Sequence, residues 1–341
     1  MSTLYLLHQG TTLHKEHGRF LIQQADSNSA QISPAESEIP IREVERILVF
    51  GHVQVTAIAI STCLDTQIPI VFLSQSGTYK GHLWPAVFCD LKVEKAQFML
   101  QDNPAFQLTV ARAIVRGKLL NSKRMLLKLN RKRCLPAVAD AIAGLSSDIA
   151  AVEVAGNLET LRGYEGIGAT RYFSAFGQLI TNPNFNFTER NRRPPKDPVN
   201  SLLSFGYTIL FNNVLSLILA EGLNPYLGNL HGSERKELFL GFDLVEEFRS
   251  LVVDSTVLKL VNKNIFKPSD FTTLDRAGGV YLVDSVRRVF IKKIEERLSE
   301  LVSHPDVQEQ VQIRRAIQLQ VRRYKQCLLK SIPYEAFVRA A

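Results

Sequence analysis

The sequence predicts an α+β protein in which a small β-rich domain, residues 1–86, precedes a larger, all-α-helical domain, residues 87–341. The β-rich domain is indicated by short alternating or β-branched apolar runs, which glycines, a polar turn at 26–31 and Pro40 separate. The helical domain is indicated by an apolar periodicity of helical spacing that begins near Val87. Two domains are also what a chain of 341 residues is expected to form.

One helix is expected inside the β-rich domain, where residues 55–67 place Ile58, Ile60 and Leu64 on an apolar face. The histidines of this domain are dispersed, and no nucleophile or metal-ligand pattern accompanies them. An exposed edge of such a sheet would need covering, so the domain is a candidate dimerisation surface.

Local signals predict several boundaries in the helical domain. The Asn-Pro pair at 103–104 suits the N-cap and first residue of a helix. A serine at 146–147 is expected to cap a later helix, and a new segment is expected at Gly163. Residues 201–223 are apolar nearly all round, which predicts a helix at the centre of a bundle. A last helix is expected over residues 311–332.

Positive charge is concentrated in the helical domain. The whole chain has a net charge of +8, whereas residues 1–85 carry five Lys and Arg against seven Asp and Glu. Residues 104–137 hold nine Lys and Arg and no acidic residue. Such a surface can simply be solvated, but unbalanced cations on helices favour contacts with phosphates of a polyanion such as DNA. The candidate DNA-binding residues are Arg112, Arg116, Lys123, Arg124, Lys128, Arg190, Arg192, Arg193, Arg322 and Arg323.

Composition excludes several classes of protein. The four cysteines lack CxxC spacing, so neither a zinc site nor a disulfide framework is predicted, and a reducing cytoplasm is the expected compartment. The sequence shows no uninterrupted apolar run of about 18 residues and no signal peptide, so no membrane association is expected. P-loop and GxGxxG signatures are also absent from the sequence.

The strongest candidate for a catalytic centre lies in the segment 223–250. This segment joins a loop histidine, His231, to a predicted helix that carries Asp243, Glu246 and Glu247. At about 100° per residue, the three acids fall on the side opposite the apolar face. A solvated acidic face is one interpretation, but it would oppose DNA binding unless a metal ion neutralised it. Two carboxylates and a neutral imidazole would suit Mg²⁺ or Mn²⁺.

A further carboxylate has to come from upstream, and Glu165 is the candidate. It stands among the small residues Gly163, Gly166 and Gly168. Small residues let a phosphate approach the backbone closely, and they equally let two helices pack closely. The local sequence leaves both interpretations open.

Three segments, taken in this order, resemble the CRISPR-associated integrase, the catalytic subunit of the spacer-acquisition complex. They are GYEGIGATRYF, PPKDPVNSLLSFGYTIL and LNPYLGNLHGSERKELFLGFDLVEEFR, and the resemblance spans about residues 1–335. It implies a metal-dependent DNA endonuclease and integrase. Its catalytic residues would be Glu165, His231, Glu246 and Asp243, of which the first three would bind Mg²⁺ or Mn²⁺.

The relative roles of Asp243 and Glu246 stay open, because the family pattern D-x-x-D ends here in Glu246, which has a longer side chain. Glu247 is expected to be a surface residue.

The resemblance also implies partners and a reaction. The partners would be a second copy of the chain, bound through the β-rich domain, and a small second subunit of the adaptation complex. The substrates would be double-stranded DNA, both as spacer precursor and as repeat array. The 3′-OH ends of the spacer would join phosphodiesters of the repeat by transesterification. Two alternatives are a non-catalytic DNA-binding scaffold and a general branched-DNA nuclease that acts outside CRISPR adaptation.

Overall fold

The computed structural model describes residues 2–24, 37–75, 77–85, 90–232, 237–273 and 278–339. The chain divides into two compact units, Met1–Cys89 and Asp90–Ala341. Strands dominate the first unit and helices the second, so the predicted α+β class is confirmed. The polar turn expected at 26–31 and the domain boundary expected between residues 86 and 87 both involve residues outside the described ranges.

The first unit contains two four-stranded sheets and a short helix. Its elements are β1 (Ser2–Leu6), β2 (Thr11–Glu16), β3 (Arg19–Gln24), β4 (Ser37–Pro40), β5 (Val44–Phe50), β6 (Gln54–Val55), α1 (Ala57–Asp65), β7 (Ile70–Leu73) and β8 (Tyr79–Leu83). One sheet has the order β1-β5-β7-β8, with only β8 antiparallel to its neighbour, and the other has the order β4-β3-β2-β6. Leu13 and Phe20 of one sheet share a core with Ile47 and Ile70 of the other.

The helix predicted in the first unit is confirmed as α1. Thr56 caps it, because its hydroxyl oxygen accepts a hydrogen bond from the backbone N–H of Ala59. The buried residues of α1 are Ala59 and Cys63, whereas Ile58 and Leu64 are exposed. Of the three residues on the predicted apolar face, only Ile60 packs against the core of this unit.

The second unit is mainly helical. Its helices are α2 (Leu91–Gln101), α3 (Pro104–Asn130), α4 (Pro136–Glu153), α5 (Leu158–Gln178), α6 (Pro198–Ala220), α7 (Phe239–Val245), α8 (Ser255–Asn262), α9 (Asp284–Leu298) and α10 (Ile313–Lys330). Two short antiparallel ribbons depart from the all-helical prediction. They pair β9 (Phe271–Thr273) with β10 (Val280–Leu282) and β11 (Leu301–Val302) with β12 (Val311–Gln312).

The start of α3 is the one predicted. Asn103 Oδ1 accepts hydrogen bonds from the backbone N–H groups of Ala105 and Phe106, both at 3.1 Å, and Pro104 is the first helical residue. Because proline has no N–H to leave unpaired, it suits the first turn of a helix.

Two predicted boundaries are wrong. Ser146 lies inside α4, where its hydroxyl donates to the carbonyl oxygen of Ile142. Gly163 lies inside α5, which begins earlier because Asn157 Oδ1 accepts a hydrogen bond from the backbone N–H of Thr160 at 2.8 Å. As a result Glu165 sits two turns into a helix, on a rigid element.

Helix α6 occupies the centre of the second unit, as predicted from its uniform apolarity. It is long and apolar enough, by those two criteria, to cross a membrane, and 72% of its most apolar window is buried inside the protein. Such burial is that of a core helix.

The segment that carries the predicted acids is a helix of changing pitch. Helix α7 continues into a 3₁₀ turn, Glu246–Phe248, and then into a π-helical turn, Ser250–Asp254, before α8 begins. The alternative interpretation of these acids as a solvated face is wrong, because Asp243, Glu246 and Glu247 are 0%, 3% and 0% exposed. A constant 100° per residue does not hold through such turns, and the segment is packed on all sides.

Glu247, expected at the surface, instead anchors the C-terminal tail, residues 331–339. Its carboxylate accepts hydrogen bonds from the hydroxyl of Tyr334 at 2.5 Å, the backbone N–H of Phe337 at 2.6 Å and the side-chain amide of Gln320 at 3.0 Å. Burial raises the pKa of Glu247 to about 7. The tail therefore packs against Glu247, the neighbour of Glu246 in the sequence.

Helix α3 holds the same tail from the other side. The Asn121 amide nitrogen donates to the carbonyl oxygens of Glu247 and Phe337, both at 2.8 Å, and Asn121 Oδ1 accepts from the N–H of Arg339 at 2.9 Å. One turn earlier, at Gly117, an added Cβ would lie 2.5 Å from the Cβ of Ala336. Close contact at Gly117 is thus a condition for docking the tail.

We predict that Gly117→Ala loosens the tail. The new methyl group should lower the free energy of unfolding by about 1–3 kcal/mol, because Ala336 has to move away. Urea denaturation and hydrogen exchange of the Phe337 amide would measure both effects. Gly163→Ala is the control: its Cβ would meet nothing within 4 Å, so it should gain about 1 kcal/mol from helix propensity. Unchanged stability and exchange in Gly117→Ala would contradict the docking argument.

Candidate metal centre

Two of the predicted ligands, Glu165 on α5 and Glu246 after α7, meet at the ammonium group of Lys118 on α3. Lys118 Nζ lies 2.7 Å from Glu246 Oε2 and is in ion-pair contact with Glu165 Oε1. The side chain of Glu246 is almost fully buried, whereas that of Glu165 is 21% exposed. Residues 81 positions apart in the sequence thus face the same small volume.

Glu246 is ionised despite its burial. Burial by itself would raise the pKa of this carboxyl group, but the charges of Arg249, Lys118 and His231 outweigh it and lower the pKa to about 2. Arg249 lies on the same helical segment as Glu246, three residues later, and its Nη1 atom is 2.8 Å from Glu246 Oε1. Glu246 therefore carries a negative charge in the folded protein, with two cations beside it.

The loop that carries His231 is folded around Asp243. The carboxylate of Asp243 accepts hydrogen bonds from the backbone N–H groups of Asn229, Leu230 and His231, at 2.5, 2.9 and 2.9 Å. It also pairs with Nδ1 of His231 at 2.8 Å. With Nδ1 donating to the carboxylate, Nε2 keeps its lone pair, which is the arrangement usual for a metal-binding histidine.

These four donors distinguish Asp243 from Glu246. The carboxylate of Asp243 is fully buried and its acceptor positions are used by the loop, so it orients His231. Glu246 Oε2 is buried too, but among the described ion pairs its one partner is the ammonium of Lys118, at 2.7 Å. Of the two acids, Glu246 is therefore the one whose oxygen could exchange its partner for a metal ion.

Arg162 is a positioning residue that the sequence argument missed. Its Nε and Nη2 atoms donate to the carbonyl oxygen of Leu230 at 2.9 and 2.6 Å, and the N–H of the same residue donates to Asp243. Arg162 precedes Glu165 by three residues, just as Asp243 precedes Glu246 by three. Each of two helical segments thus offers one residue that orients the histidine loop and, one turn on, one candidate ligand.

The imidazole of His231 lies within the electrostatic influence of this acidic cluster. Burial by itself would lower its pKa, but the hydrogen bond to Asp243 and the charges of Asp243, Glu246 and Glu165 outweigh burial, and the pKa is raised. The same negative field that favours the imidazolium would favour a divalent cation.

A second polar cluster, also missed from the sequence, centres on Asp254. The hydroxyls of Tyr172 and Tyr207 donate to its carboxylate at 2.7 and 2.5 Å. The guanidinium groups of Arg249 and Arg190 lie over the ring of Tyr207, 4.7 and 5.4 Å from its centroid. Burial raises the pKa of Asp254 against the effect of these partners.

Residues of both clusters line one small, partly open cleft. Its wall includes Lys118, Glu246 and Arg249 of the first cluster and Tyr172, Tyr207 and Asp254 of the second. A negatively charged group in this cleft would meet cations on one side and the candidate ligands on the other.

The chemistry of the candidate ligands fits a hard divalent cation. Carboxylate oxygens and one imidazole nitrogen are suitable donors for Mg²⁺ or Mn²⁺. The buried Oε2 of Glu246 already lies 2.7 Å from a cation, the ammonium of Lys118, which is consistent with such a role. Among the described residues, no three His, Cys, Asp or Glu side chains already stand in metal-binding geometry, and the Lys118 nitrogen stands between Glu165 and Glu246.

The candidate DNA-binding residues fall into two groups. Those in the first group have partners inside the fold: Arg112 with the Ala155 carbonyl, Arg116 with Glu153, Arg190 with Asn200 and Ser204, Arg322 with Glu221, and Arg323 with Asp306. Those in the second form no ion pair with the described residues: Lys123, Arg124, Lys128, Arg192 and Arg193. Internal partners give the first group a structural role of its own.

The fold of this chain is one found among CRISPR-associated proteins. A solved CAS1 protein from Thermotoga maritima superimposes with a TM-score of 0.79 at 26% sequence identity, covering 100% of this chain and 99% of that one. A family model described as CRISPR associated protein Cas1 matches residues 4–296. The chain therefore belongs to the Cas1 family, and the resemblance inferred from the sequence is confirmed.

Two curated relatives support the same assignment. The CRISPR-associated endonuclease Cas1 1 of Thermus thermophilus is 36% identical over 335 residues, which cover 98% of each chain. A CRISPR-associated exonuclease Cas4/endonuclease Cas1 fusion from Geobacter sulfurreducens is 34% identical over 310 residues. That match covers 89% of this chain and 55% of the fusion protein, so the chain spans about half of its length.

We predict that Asp243→Asn lowers the pKa of His231. The substitution removes the nearest negative charge and an acceptor for Nδ1, while burial continues to disfavour the imidazolium. NMR titration of the His231 ring in metal-free protein would measure the change. Asp148→Asn, which removes a carboxylate paired with Arg171 instead, should leave the titration unaltered. An unchanged His231 titration in Asp243→Asn would show that Asp243 does not control the imidazole.

Proposed function

We propose that this Cas1-family protein is a divalent-metal-dependent DNA endonuclease and integrase of CRISPR adaptation. The observation that carries the proposal is the convergence of Glu165 and Glu246, from separate helical segments, on one cation position. His231 lies close enough to respond to both charges. Membership of the Cas1 family, whose relatives include named endonucleases, supports the same activity.

Mg²⁺ or Mn²⁺ would be held by Glu165, Glu246 and Nε2 of His231. When bound, the ion would stabilise negative charge on a phosphodiester and lower the pKa of an attacking water or hydroxyl. Asp243 and Arg162 would keep the imidazole in place through the 229–231 loop. Arg249 neutralises Glu246 from its other side and so limits the net charge of the metal-bound centre.

The reaction that this site would perform on DNA is strand transfer. A 3′-OH of the incoming DNA attacks a phosphorus atom of the repeat, a new P–O bond forms, and the original P–O bond breaks to leave a different 3′-OH. One phosphodiester replaces another, so the step needs no external energy source. Hydrolysis follows the same course with water as the nucleophile.

The five cations that form no ion pair with the described residues would bind the DNA backbone. Lys123, Arg124 and Lys128 lie on α3, and Arg192 and Arg193 lie in the loop before α6. The pKa of Lys128 is lowered, first by the nearby charge of Arg339, then by burial and by Arg297. A group of cations that repel one another is stabilised by phosphate. Contacts of this kind position DNA without reading its bases.

A proposal for the assembly of this protein rests on its membership of the Cas1 family. We propose that two copies pair through the first unit and that the dimer acts with a small second adaptation subunit on spacer precursor and repeat array in the cytoplasm. The exposed Ile58 and Leu64 on α1 offer apolar area for pairing.

A non-catalytic DNA-binding scaffold is the second candidate function. The observation that favours it is the Lys118 ammonium, which already forms ion pairs with both carboxylates. Such a scaffold would bind DNA in a salt-dependent manner but would not bind Mn²⁺.

We predict that Glu165→Gln and His231→Ala each lower the rate of strand transfer with Mn²⁺ at least about 100-fold, because the transition-state charge loses its stabilisation. A single-turnover assay that joins labelled DNA to a repeat-bearing target would measure the rate. Glu153→Gln is the matched control, since this carboxylate pairs with Arg116 on α3. Full activity of folded Glu165→Gln and His231→Ala would remove both residues from the proposed centre.

A second prediction concerns salt. Replacing Lys123 and Arg124 by Ala should weaken DNA binding and reduce the slope of log K against log salt by about 2, since each phosphate contact releases close to one counterion. Fluorescence anisotropy at several salt concentrations would measure the slope. Arg322→Ala should leave the slope near that of the wild type, because Arg322 is paired with Glu221. Equal slopes for all three proteins would argue against phosphate contacts by α3.

A further inference from the structure

Lys118 is the one cation that contacts both candidate ligand carboxylates among the described ion pairs. The backbone of Lys118 is held in place, because residues before and after it on α3 are packed or hydrogen-bonded. Gly117 packs against the C-terminal tail, and Asn121, one turn later, donates to the carbonyl oxygen of Glu247. The ammonium is thus held opposite the carboxylates by the backbone of the fold.

In metal-free protein, the ion pairs of Lys118 reduce the repulsion between Glu165 and Glu246. Two carboxylates this close repel each other, and burial strengthens the repulsion because little water screens it. Lys118 is itself largely buried, with 12% of its side chain exposed. Its contacts with the two carboxylates favour the charged ammonium.

The same contact is incompatible with a bound divalent ion. Mg²⁺ binds carboxylate oxygens at about 2.0–2.1 Å, within the volume that the ammonium now shares with them. A monovalent and a divalent cation cannot occupy adjacent positions on the same oxygens without strong repulsion. The lysine must therefore withdraw when the ion enters.

The withdrawn lysine side chain could move into the cleft beside the carboxylates. Lys118 lines this cleft together with Ser122, Tyr172 and Tyr207. The two tyrosine hydroxyls already donate to Asp254, so they leave a DNA phosphate in the cleft in need of other donors. A flexible four-carbon side chain with three N–H donors can supply them.

We propose that Lys118 is an exchangeable counter-cation of this centre: it holds Glu165 and Glu246 together in metal-free protein, is displaced by the divalent ion, and then binds a DNA phosphate in the adjoining cleft. This proposal rests on the metal-dependent function proposed above. It assigns Lys118 a positioning role before metal binding and a DNA-binding role after it.

The test is isothermal titration of the full chain with MnCl₂ in the absence of DNA. Lys118→Met should bind Mn²⁺ at least about tenfold more tightly than wild type, because a competing charge has gone. It should nevertheless lose strand-transfer activity at saturating Mn²⁺. Lys118→Arg keeps the charge and should bind Mn²⁺ no more tightly than wild type. Lys95→Met, which removes an exposed lysine on α2, should bind Mn²⁺ like wild type.

The outcomes separate this proposal from the function on which it depends. If wild type binds Mn²⁺ and folded Lys118→Met binds it equally or more weakly, the exchange is wrong while the metal centre stands. If neither protein binds Mn²⁺, the metal centre itself is wrong, and the exchange with it. Binding by Lys118→Met alone would support the exchange. Should Lys118→Met fail to fold, Lys118→Gln takes its place, and tighter Mn²⁺ binding by Lys118→Arg than by wild type would equally overturn the exchange.

Discussion

The burial of carboxylates within a single helical segment is the constraint on which the second unit depends. A buried charge without partners is strongly destabilising, so each acid has to collect donors or cations from elsewhere in the chain. Asp243 collects the N–H groups of the histidine loop, and Glu246 collects Lys118 and Arg249. Glu247 collects the C-terminal tail. The need to compensate these charges therefore assembles the loop, the centre and the tail around the same segment.

Parts of this fold can be predicted from the sequence, namely those for which residue type and order carry the information. The N-cap at Asn103, the apolar core helix α6 and the succession of strand-rich and helical units all follow from local patterns. The convergence of Glu165 and Glu246 on one position, in contrast, came from family resemblance and not from spacing. Nothing local relates two residues that the packing of α5 against α3 and of α3 against the 3₁₀ turn brings together.

The failures have physical causes as well. Glu247 was expected at the surface because an ideal helix puts it beside other acids, whereas 3₁₀ and π turns change the direction of each side chain. In the sequence Lys118 is one of nine basic residues in the segment 104–137. Only its burial against two carboxylates distinguishes it from Lys123 and Arg124. Arg162 acts on a backbone carbonyl 68 residues away, a partner that no sequence pattern identifies.

Stability and chemistry are coupled in this unit because they use the same short stretch of α3. Gly117 and Asn121 hold the C-terminal tail, and Lys118, between them, holds the candidate ligands. Asn121 also fixes the backbone of Glu247, the residue that follows Glu246. A shift of α3 that loosened the tail would move the ammonium and Glu246 together. The tail therefore helps to set the distance at which the two carboxylates face each other.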